Sequence, residues 1–412
     1  MQKHIAMLHP EELYICNFGP IKEARVTIRK MTVTIGEQGS GKSTVAKLYS
    51  LFSWLEKALM RHSLTPQYIM RYSRFRKTYA AYNHLESYFR PETELRFNGF
   101  HYRFEYLKEQ LQIVEINPEE TFFSISKVMY VPAERNILGS VDHPSQLKGL
   151  ENSMKTFLEE YDHAKTRIKQ GYTLPFGKVG FEYDVLNDIP KLRNEDFEIK
   201  LSAASSGFQS ALPLLLVSKN LSEMVRDSSQ NNDLSEKEQK ALQKEVENIM
   251  QDNQLSEEVK KASLRSLSSR YRYSRLVNIV EEMELNLFPD SQKNVLYELM
   301  AENNTLRDNR LMLTTHSPYL INYLTLAVKA TQLAAQASDN VELKNEIYKI
   351  VPPSSFINAE DLVIYELENG TVNELDNYEG LPSDENFLNK KLNDTNLTFD
   401  ALLDIEERLH AK

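Results

Sequence analysis

The run Gly36-Glu37-Gln38-Gly39-Ser40-Gly41-Lys42-Ser43-Thr44 limits what this chain can fold into more than any other stretch. It satisfies G-x-x-x-x-G-K-[ST] at every position. Before it, Met31-Thr32-Val33-Thr34-Ile35 predicts a buried strand; after it, Val45 to Phe52 predicts a helix. A strand, a glycine-rich turn and a helix N-terminus together make an anion cradle. Backbone N–H groups converge there and the helix dipole adds positive potential. Lys42 is placed to reach the β- and γ-phosphates, and Ser43 to hold Mg²⁺. A nucleoside triphosphate is the expected ligand.

Composition sets the bounds. At 412 residues the chain exceeds the usual size of a single core, so two lobes, or one core with insertions, are expected. No run of about 18 apolar residues is present, which predicts no transmembrane helix. Met1 to Pro10 lacks the long apolar region of a signal peptide. Cys16 is the single cysteine, which excludes an internal disulfide framework and a cysteine-based zinc site. A cytoplasmic location is the expectation. The net charge of −10 argues against a chain coated in nucleic acid but leaves room for a local basic groove.

Residues 11–35 alternate as strands, with a turn at Asn17-Phe18-Gly19-Pro20, and predict a β-meander leading into the phosphate loop. Residues 45–90 read as helical, 93–126 as short strands with a hairpin at Asn98-Gly99, and 144–170 as an exposed helix. From about 219 to 270 nine Lys/Arg nearly balance ten Asp/Glu, with a capping box at Ser235 and Glu238. That balance suits a solvated helical arm. Asn369-Gly370 signals a type I′ hairpin between two short strands. The predicted division is a core lobe over 1–136, a helical lobe with an inserted arm over 137–274, a second core segment over 275–340 and a short C-terminal subdomain over 341–412.

Three further motifs carry chemistry. Leu276-Val277-Asn278-Ile279-Val280-Glu281-Glu282 is a buried strand ending in two acids. There Glu281 would hold the Mg²⁺ shell and Glu282 would act as general base toward an attacking water. Two exposed acids at a strand end are the bland alternative. Leu311 to Pro318 is a strand that stops at His316, placed to contact a γ-phosphate and polarise water, or to serve only as a surface or capping residue. Ala204-Ser205-Ser206-Gly207 opens an apolar helix, where small residues allow close approach to a phosphate, or Ser205 is an ordinary N-cap.

The order of these motifs resembles the ABC-type ATPases, in particular the soluble SMC, RecF and OLD branch. Asn17-Phe18-Gly19-Pro20-Ile21 resembles that branch's N-terminal NFGPI segment, and Ala204 to Ser210 looks like a degenerate L-S-G-G-E-K-S signature. Glu281-Glu282-Met283-Glu284 is similar to the OLD-type E-E-P-E, with methionine replacing proline, and Thr315-His316-Ser317-Pro318 to its T-H-S-P switch. Tyr130-Val131-Pro132-Ala133-Glu134-Arg135 resembles the Y-x-P-A-E-R segment of stand-alone bacterial ATPases, many of them in antiphage systems. The resemblance implies an α/β P-loop ATPase head that uses ATP and Mg²⁺. It also implies a head-to-tail homodimer or higher homo-oligomer, in which one chain's Ser205, Ser206 and Gly207 close the other chain's site. Glu134 or Arg135 would take the place of the family's Q-loop. No acid followed by D-x-D in a strand context is seen after His316, so a fused nuclease is not expected and an effector (a nuclease or toxin) would be a separate chain.

Residues 61–104 set eight basic residues (Arg61, Arg71, Arg74, Arg76, Lys77, Arg90, Arg96 and Arg103) against Glu86, Glu92 and Glu94, interleaved with tyrosines and phenylalanines. Three readings fit: a DNA- or RNA-binding face, a plain amphipathic helix, or a protein-docking surface. Two functions are therefore expected. One is an ATP-driven switch that controls a partner effector in antiphage defence. The other is a RecF-like, DNA-engaged maintenance ATPase. A transporter subunit departs from both signature and spacing.

Overall fold

The structure, a computed structural model, describes residues 10–116, 124–168, 170–227, 236–251, 256–338 and 340–410. Ser235 of the expected capping box lies outside the described residues. The chain opens with strands β1 (Glu11–Phe18), β2 (Ile21–Ile28) and β3 (Met31–Gly36), then helix α1 (Lys42–Met60) and a short helix α2 (Pro66–Met70). Next come β4 (Phe89–Asn98), β5 (Tyr102–Leu107), β6 (Gln110–Glu115) and β7 (Ser126–Val131). Helices α3 (Asn136–Ser140) and α4 (Asn152–Ile168) precede four short strands, β8 (Gln170–Thr173), β9 (Gly180–Asp184), β10 (Ile189–Arg193) and β11 (Glu198–Lys200). Then follow α5 (Ser206–Asp227), α6 (Glu236–Gln251), α7 (Glu257–Arg270), β12 (Arg275–Glu281), α8 (Pro289–Asn304), β13 (Arg310–Thr315), α9 (Pro318–Gln336) and α10 (Val341–Ile350). The hairpin β14 (Leu362–Glu368) and β15 (Thr371–Glu374) leads to the long helix α11 (Phe387–His410).

One mixed sheet organises the molecule, in the order β6-β5-β4-β1-β2-β15-β14-β3-β13-β12-β7. From β14 to β7 the strands run parallel. Their residues are apolar on both faces, as parallel strands covered on both sides require. All of β3 and β12 is buried. Met31, Val33 and Ile35 of β3 join the cluster that contains α5, α8 and α9, whereas Val277, Ile279 and Met312 face the cluster that contains α1. The sheet is thus a middle layer with helices on each side.

The hairpin signalled by Asn369-Gly370 is present, with φ of 53° and 85° at its two turn residues, the left-handed pair a type I′ turn needs. It sits inside the main sheet. β14 pairs in parallel with β3 and β15 pairs with β2, so β1 and β2 do not continue as a meander into the loop-bearing strand. The reason is hydrophobic: Leu362, Val363, Ile364 and Tyr365 are all buried, and a strand covered on both faces belongs in the sheet interior.

Three other expectations change. Residues 61–88 do not continue α1; they break into short turns of helix, with Tyr72 and Ser73 at φ 56° and a π-helical stretch over Phe75–Ala80. Residues 170–200 form a separate four-stranded antiparallel sheet, order β11-β10-β9-β8, which short, turn-rich strands concealed. Helix α4 is not merely exposed, because Phe157, Tyr161 and Lys165 are buried on one face. The arm expected over 219–270 is present as the end of α5 with α6 and α7. Among the described residues no helix is long and apolar enough to cross a membrane.

Candidate nucleotide site

The parallel strands all deliver their C-terminal ends to one edge. In register, Ile35 lies beside Thr315 and Thr314 beside Glu281. This puts Gly36, Glu281-Glu282 and His316 along a single rim, the position where open α/β sheets bind ligands.

The loop has the backbone a phosphate cradle needs. Gly36, Gly39 and Gly41 take φ of 148°, 76° and 110°. A Cβ on Gly36 would come within 2.3 Å of the Leu367 carbonyl, and one on Gly41 within 2.8 Å of the Ile21 side chain. β14 and the start of β2 therefore wall the loop in, and only glycine fits between them. Over Gly39 there is open space, as an approaching anion requires. Glu37, Gln38 and Ser43 are exposed, and Thr44 is buried under the first turn of α1. Lys42 folds over the loop and donates to the carbonyls of Gly36 (2.9 Å) and Glu37 (2.7 Å). Burial pulls its ammonium below the usual lysine range, against the opposing charges of Glu282, Glu284 and Glu281.

Among the described residues, the buried polar atoms on this rim without a hydrogen-bond partner include Ser40 Oγ and Glu281 Oε1. Orphaned groups of this kind cost about 1–3 kcal/mol each unless a ligand meets them. Both suit a nucleotide with its metal. The exposed Ser43 hydroxyl and the Glu281 carboxylate are hard oxygen donors, and Mg²⁺ keeps most of its shell as water and phosphate oxygen. Burial and the neighbouring Glu281 carboxylate also push the Tyr130 hydroxyl well above its ordinary value.

The acidic turn is built with strain. Glu282 has φ 44° and Asn286 φ 61°. The Glu282 N–H donates to the Thr314 carbonyl at 3.0 Å, which fixes the turn against β13. Glu282 Oε1 stands 3.7 Å from His316 Nε2, within ion-pair range and outside hydrogen-bond range. Burial and the Lys42 charge hold the His316 imidazole below its usual value, with Glu282 pulling the other way. The ring is therefore mainly neutral near pH 7, able to donate from one nitrogen and accept at the other.

Two residues gain roles that spacing alone did not assign. Glu284 Oε1 accepts from Thr315 Oγ1 at 2.8 Å and from the His316 N–H at 2.7 Å, so it sets the backbone that carries the histidine. Burial pushes its carboxyl above the ordinary range, partly offset by those hydrogen bonds. Glu284 stood in the acidic run, but nothing in the sequence showed which strand it would reach. Arg135, fully buried, donates to the carbonyls of Pro132 (3.2 Å), Ser210 (3.3 Å), Glu281 (2.6 Å) and Glu282 (2.7 Å). One guanidinium thus bolts the end of β7, the first turn of α5 and the acidic turn together. Glu134 beside it is exposed.

Ser205, Ser206 and Gly207 lie at the N-terminus of α5, with both serines exposed. Gly207 packs so tightly on the turn after β12 that a Cβ would meet the Asn286 carbonyl at 2.8 Å. Gln209 Nε2 donates back to the carbonyls of Leu201, Ser202 and Ala204 and holds the preceding loop. Among the described residues no hydrogen bond or ion pair joins Ser205–Gly207 to the phosphate loop of the same chain.

The basic and aromatic stretch divides. Arg61 is buried and bonds Glu238 at 3.1 Å and the Tyr271 carbonyl, and Phe75 and Phe89 are core. Tyr72 is 81% exposed, and Arg74 lies 4.0 Å over the Tyr68 ring and 5.4 Å from the Tyr72 ring. That corner offers a face to a partner, and Arg90, Arg96 and Arg103 on β4 and β5 are exposed as well.

The phosphate loop after β3, the acid-ending β12, the histidine after β13 and the serine-glycine start of α5 are thus set on one mixed α/β sheet, a P-loop arrangement in the motif order from which the sequence resemblance was drawn. Among solved structures the chain is similar to the SMC head domain from Thermotoga maritima, at 10% identity and a TM-score of 0.35 over 89% of this chain and 98% of that one. It is similar to a structure of the recombination mediator protein RecF in the RecFOR pathway, at 12% identity and a TM-score of 0.30, covering 89% and 99%. A nucleotide-free ATP-binding cassette from an ABC transporter gives 11% and 0.28, covering 90% and 93%. No family model matches the sequence, and no curated protein does.

Proposed function

We propose that this chain binds and hydrolyses ATP with Mg²⁺ and uses the cycle as a switch. The observation that carries this reading is the convergence of Gly36–Thr44, Glu281, Glu282 and His316 on one rim, with polar atoms there left for a ligand. Lys42 would turn from its two loop carbonyls to the phosphates. Ser43 and Glu281 would hold the metal, which supplies charge neutralisation at the phosphates. Glu282 would take the proton of the attacking water, and His316 would position that water and the γ-phosphate.

The exposed Ser205 and Ser206 support a sandwich. They are exposed at the N-terminus of α5 and, among the described residues, make no hydrogen bond to their own phosphate loop; they would close the nucleotide of a second copy. Arg135 would carry that closure to the acidic turn, since it holds α5 and Glu281-Glu282 at once. On the resemblance of residues 130–135, the switch would control a separate effector, a nuclease or toxin, in antiphage defence. A second reading, a RecF-like ATPase engaged on DNA, rests on the exposed Arg71 and Tyr72 beside the half-buried Arg74. Stimulation of hydrolysis by DNA, lost on neutralising Arg71 and Arg74, would favour it.

Lys42→Ala is expected to lower ATP affinity at least about 100-fold in equilibrium titration. Unchanged affinity would overturn the loop assignment. Glu282→Gln is expected to keep ATP binding, to slow turnover about 10²-fold and to shift in solution mass to a larger assembly when ATP and Mg²⁺ are added. A mass indifferent to nucleotide would remove the sandwich.

A further inference from the structure

Helix α11 leaves the body of the protein beside the phosphate loop. Its foot is anchored: Leu388 is buried in the core, the Phe387 N–H donates to Glu366 Oε1 at 2.6 Å, and Lys391 Nζ stands 3.9 Å from Glu37 Oε1 of the loop. Beyond that foot every residue from Lys391 to His410 is exposed. The helix runs 24 residues, about 36 Å.

At 100° per residue, Leu388, Leu392, Phe399, Leu402, Leu403 and Leu409 fall within an arc of about 120°. Along this stripe Leu392, Phe399, Leu402 and Leu409 are 57–70% exposed. Leu397 and Ile405 lie off it. A solvated helix does not keep such a stripe without a cover. The charges identify the cover. The first half of the helix carries Lys390 and Lys391 against Asp394; the second carries Asp400, Asp404, Glu406 and Glu407 against Arg408. Glu406 sits inside the apolar arc, its one acid. Its carboxylate stands 3.9 Å from His410 Nε2, a partner that is charged only when protonated, so a permanent cation from whatever packs on the seam would complete it.

We infer that the stripe is covered by α11 of a second copy of this chain, packed antiparallel. Setting Phe399 against Leu402 of the other helix puts Leu392 against Leu409 and brings Lys391 within a turn of Glu406, twice by symmetry. Parallel pairing would place Glu406 on Glu406 and Lys391 on Lys391. The acidic outer face also disfavours an anionic lipid surface. This interface needs no nucleotide, which separates it from the sandwich. Because Lys391 lies beside Glu37, the two contacts meet at the phosphate loop.

Sedimentation of the full chain without nucleotide tests the inference. Wild type and Lys42→Ala are expected to dimerise alike at tens of micromolar, and Phe399→Glu/Leu402→Glu to be monomeric with an unchanged thermal midpoint. Glu406→Lys is expected to weaken the dimer about tenfold, and adding Lys391→Glu to restore it. A monomeric wild type, or a dimer indifferent to Phe399→Glu/Leu402→Glu, overturns the pairing. Dissociation by Glu406→Lys without rescue overturns the antiparallel arrangement.

Discussion

The two ends of β12 carry charge in opposite ways. At its start, Arg275 is fully buried and all its nitrogens are engaged: two bonds of 2.9 Å to Glu11 and one of 2.6 Å to Ser126 Oγ. Burial would push the Glu11 carboxyl up, but Arg275, with Arg310 and Tyr49 in support, holds it below the ordinary value. At its finish, Glu281 keeps an oxygen without a partner, and Glu282 sits in a backbone region that L-residues avoid. One strand, seven residues long, thus joins a closed electrostatic account to an open one. Stability is concentrated where the Arg275 donors are all met. Chemistry is expected where donors and strain are held in reserve.

This contrast can be broken from either end. The largest effect is expected at the closed end. Glu11→Ala strands the Arg275 charge in the core and should cost about 3–5 kcal/mol in chemical denaturation, with nucleotide affinity of the folded fraction unchanged. A loss below about 1 kcal/mol would mean the pair is solvated. At the open end, Glu284→Ala should cost about 1–3 kcal/mol and cut turnover about tenfold at constant KM, because Thr315 and the His316 backbone lose their acceptor. Glu284→Gln retains an acceptor oxygen and should recover most of the rate; an equally slow Gln variant would show that the charge matters rather than the position.

The smallest effect is a pH slope near the closed end. Buried Glu56, which accepts from the N–H groups of His101 and Tyr102, has its pKa pushed up to about 7 by burial and by Glu11. Its folded state holds a proton that the unfolded chain releases, so this group's contribution to stability falls as pH rises from about 4.5 to 7. His101, held down to about 4 by burial and Arg275, contributes the reverse slope below pH 6.5. Glu56→Gln should therefore turn the melting temperature into a rising function of pH between 4 and 6.5. A profile parallel to wild type would remove Glu56 from the linkage.

Local chemistry made much of this legible. The phosphate loop, its flanking strand and helix, the acid-ending β12 and the histidine after β13 were each readable because glycine, apolar runs and turn residues act over a few positions. What the sequence hid depends on distant partners. That β14 would stand beside β3, some 330 residues earlier in the chain, is set by competition for the sheet interior, which no local pattern reports. Arg61 read as a surface cation and is instead buried against Glu238, since a charge pattern does not show which cations find partners. The strands of residues 170–200 were missed because each is short and half-exposed, with weak alternation. Arg135 was visible in its segment, but its four carbonyl acceptors come from three separate stretches of chain.

The position of β14 also bears on how the protein is made. A ribosome that has released residues 31–44 has produced the complete phosphate-loop sequence, yet β3 has neither of its neighbours. One, β13, is translated only at residues 310–315, and the other, β14, only at residues 362–368, whose Leu367 carbonyl walls in Gly36. Pairings this far apart form late and slowly. The phosphate loop of a nascent chain is therefore expected to lack both flanking strands, and the carbonyl that walls in Gly36, until residues 310–368 have been made.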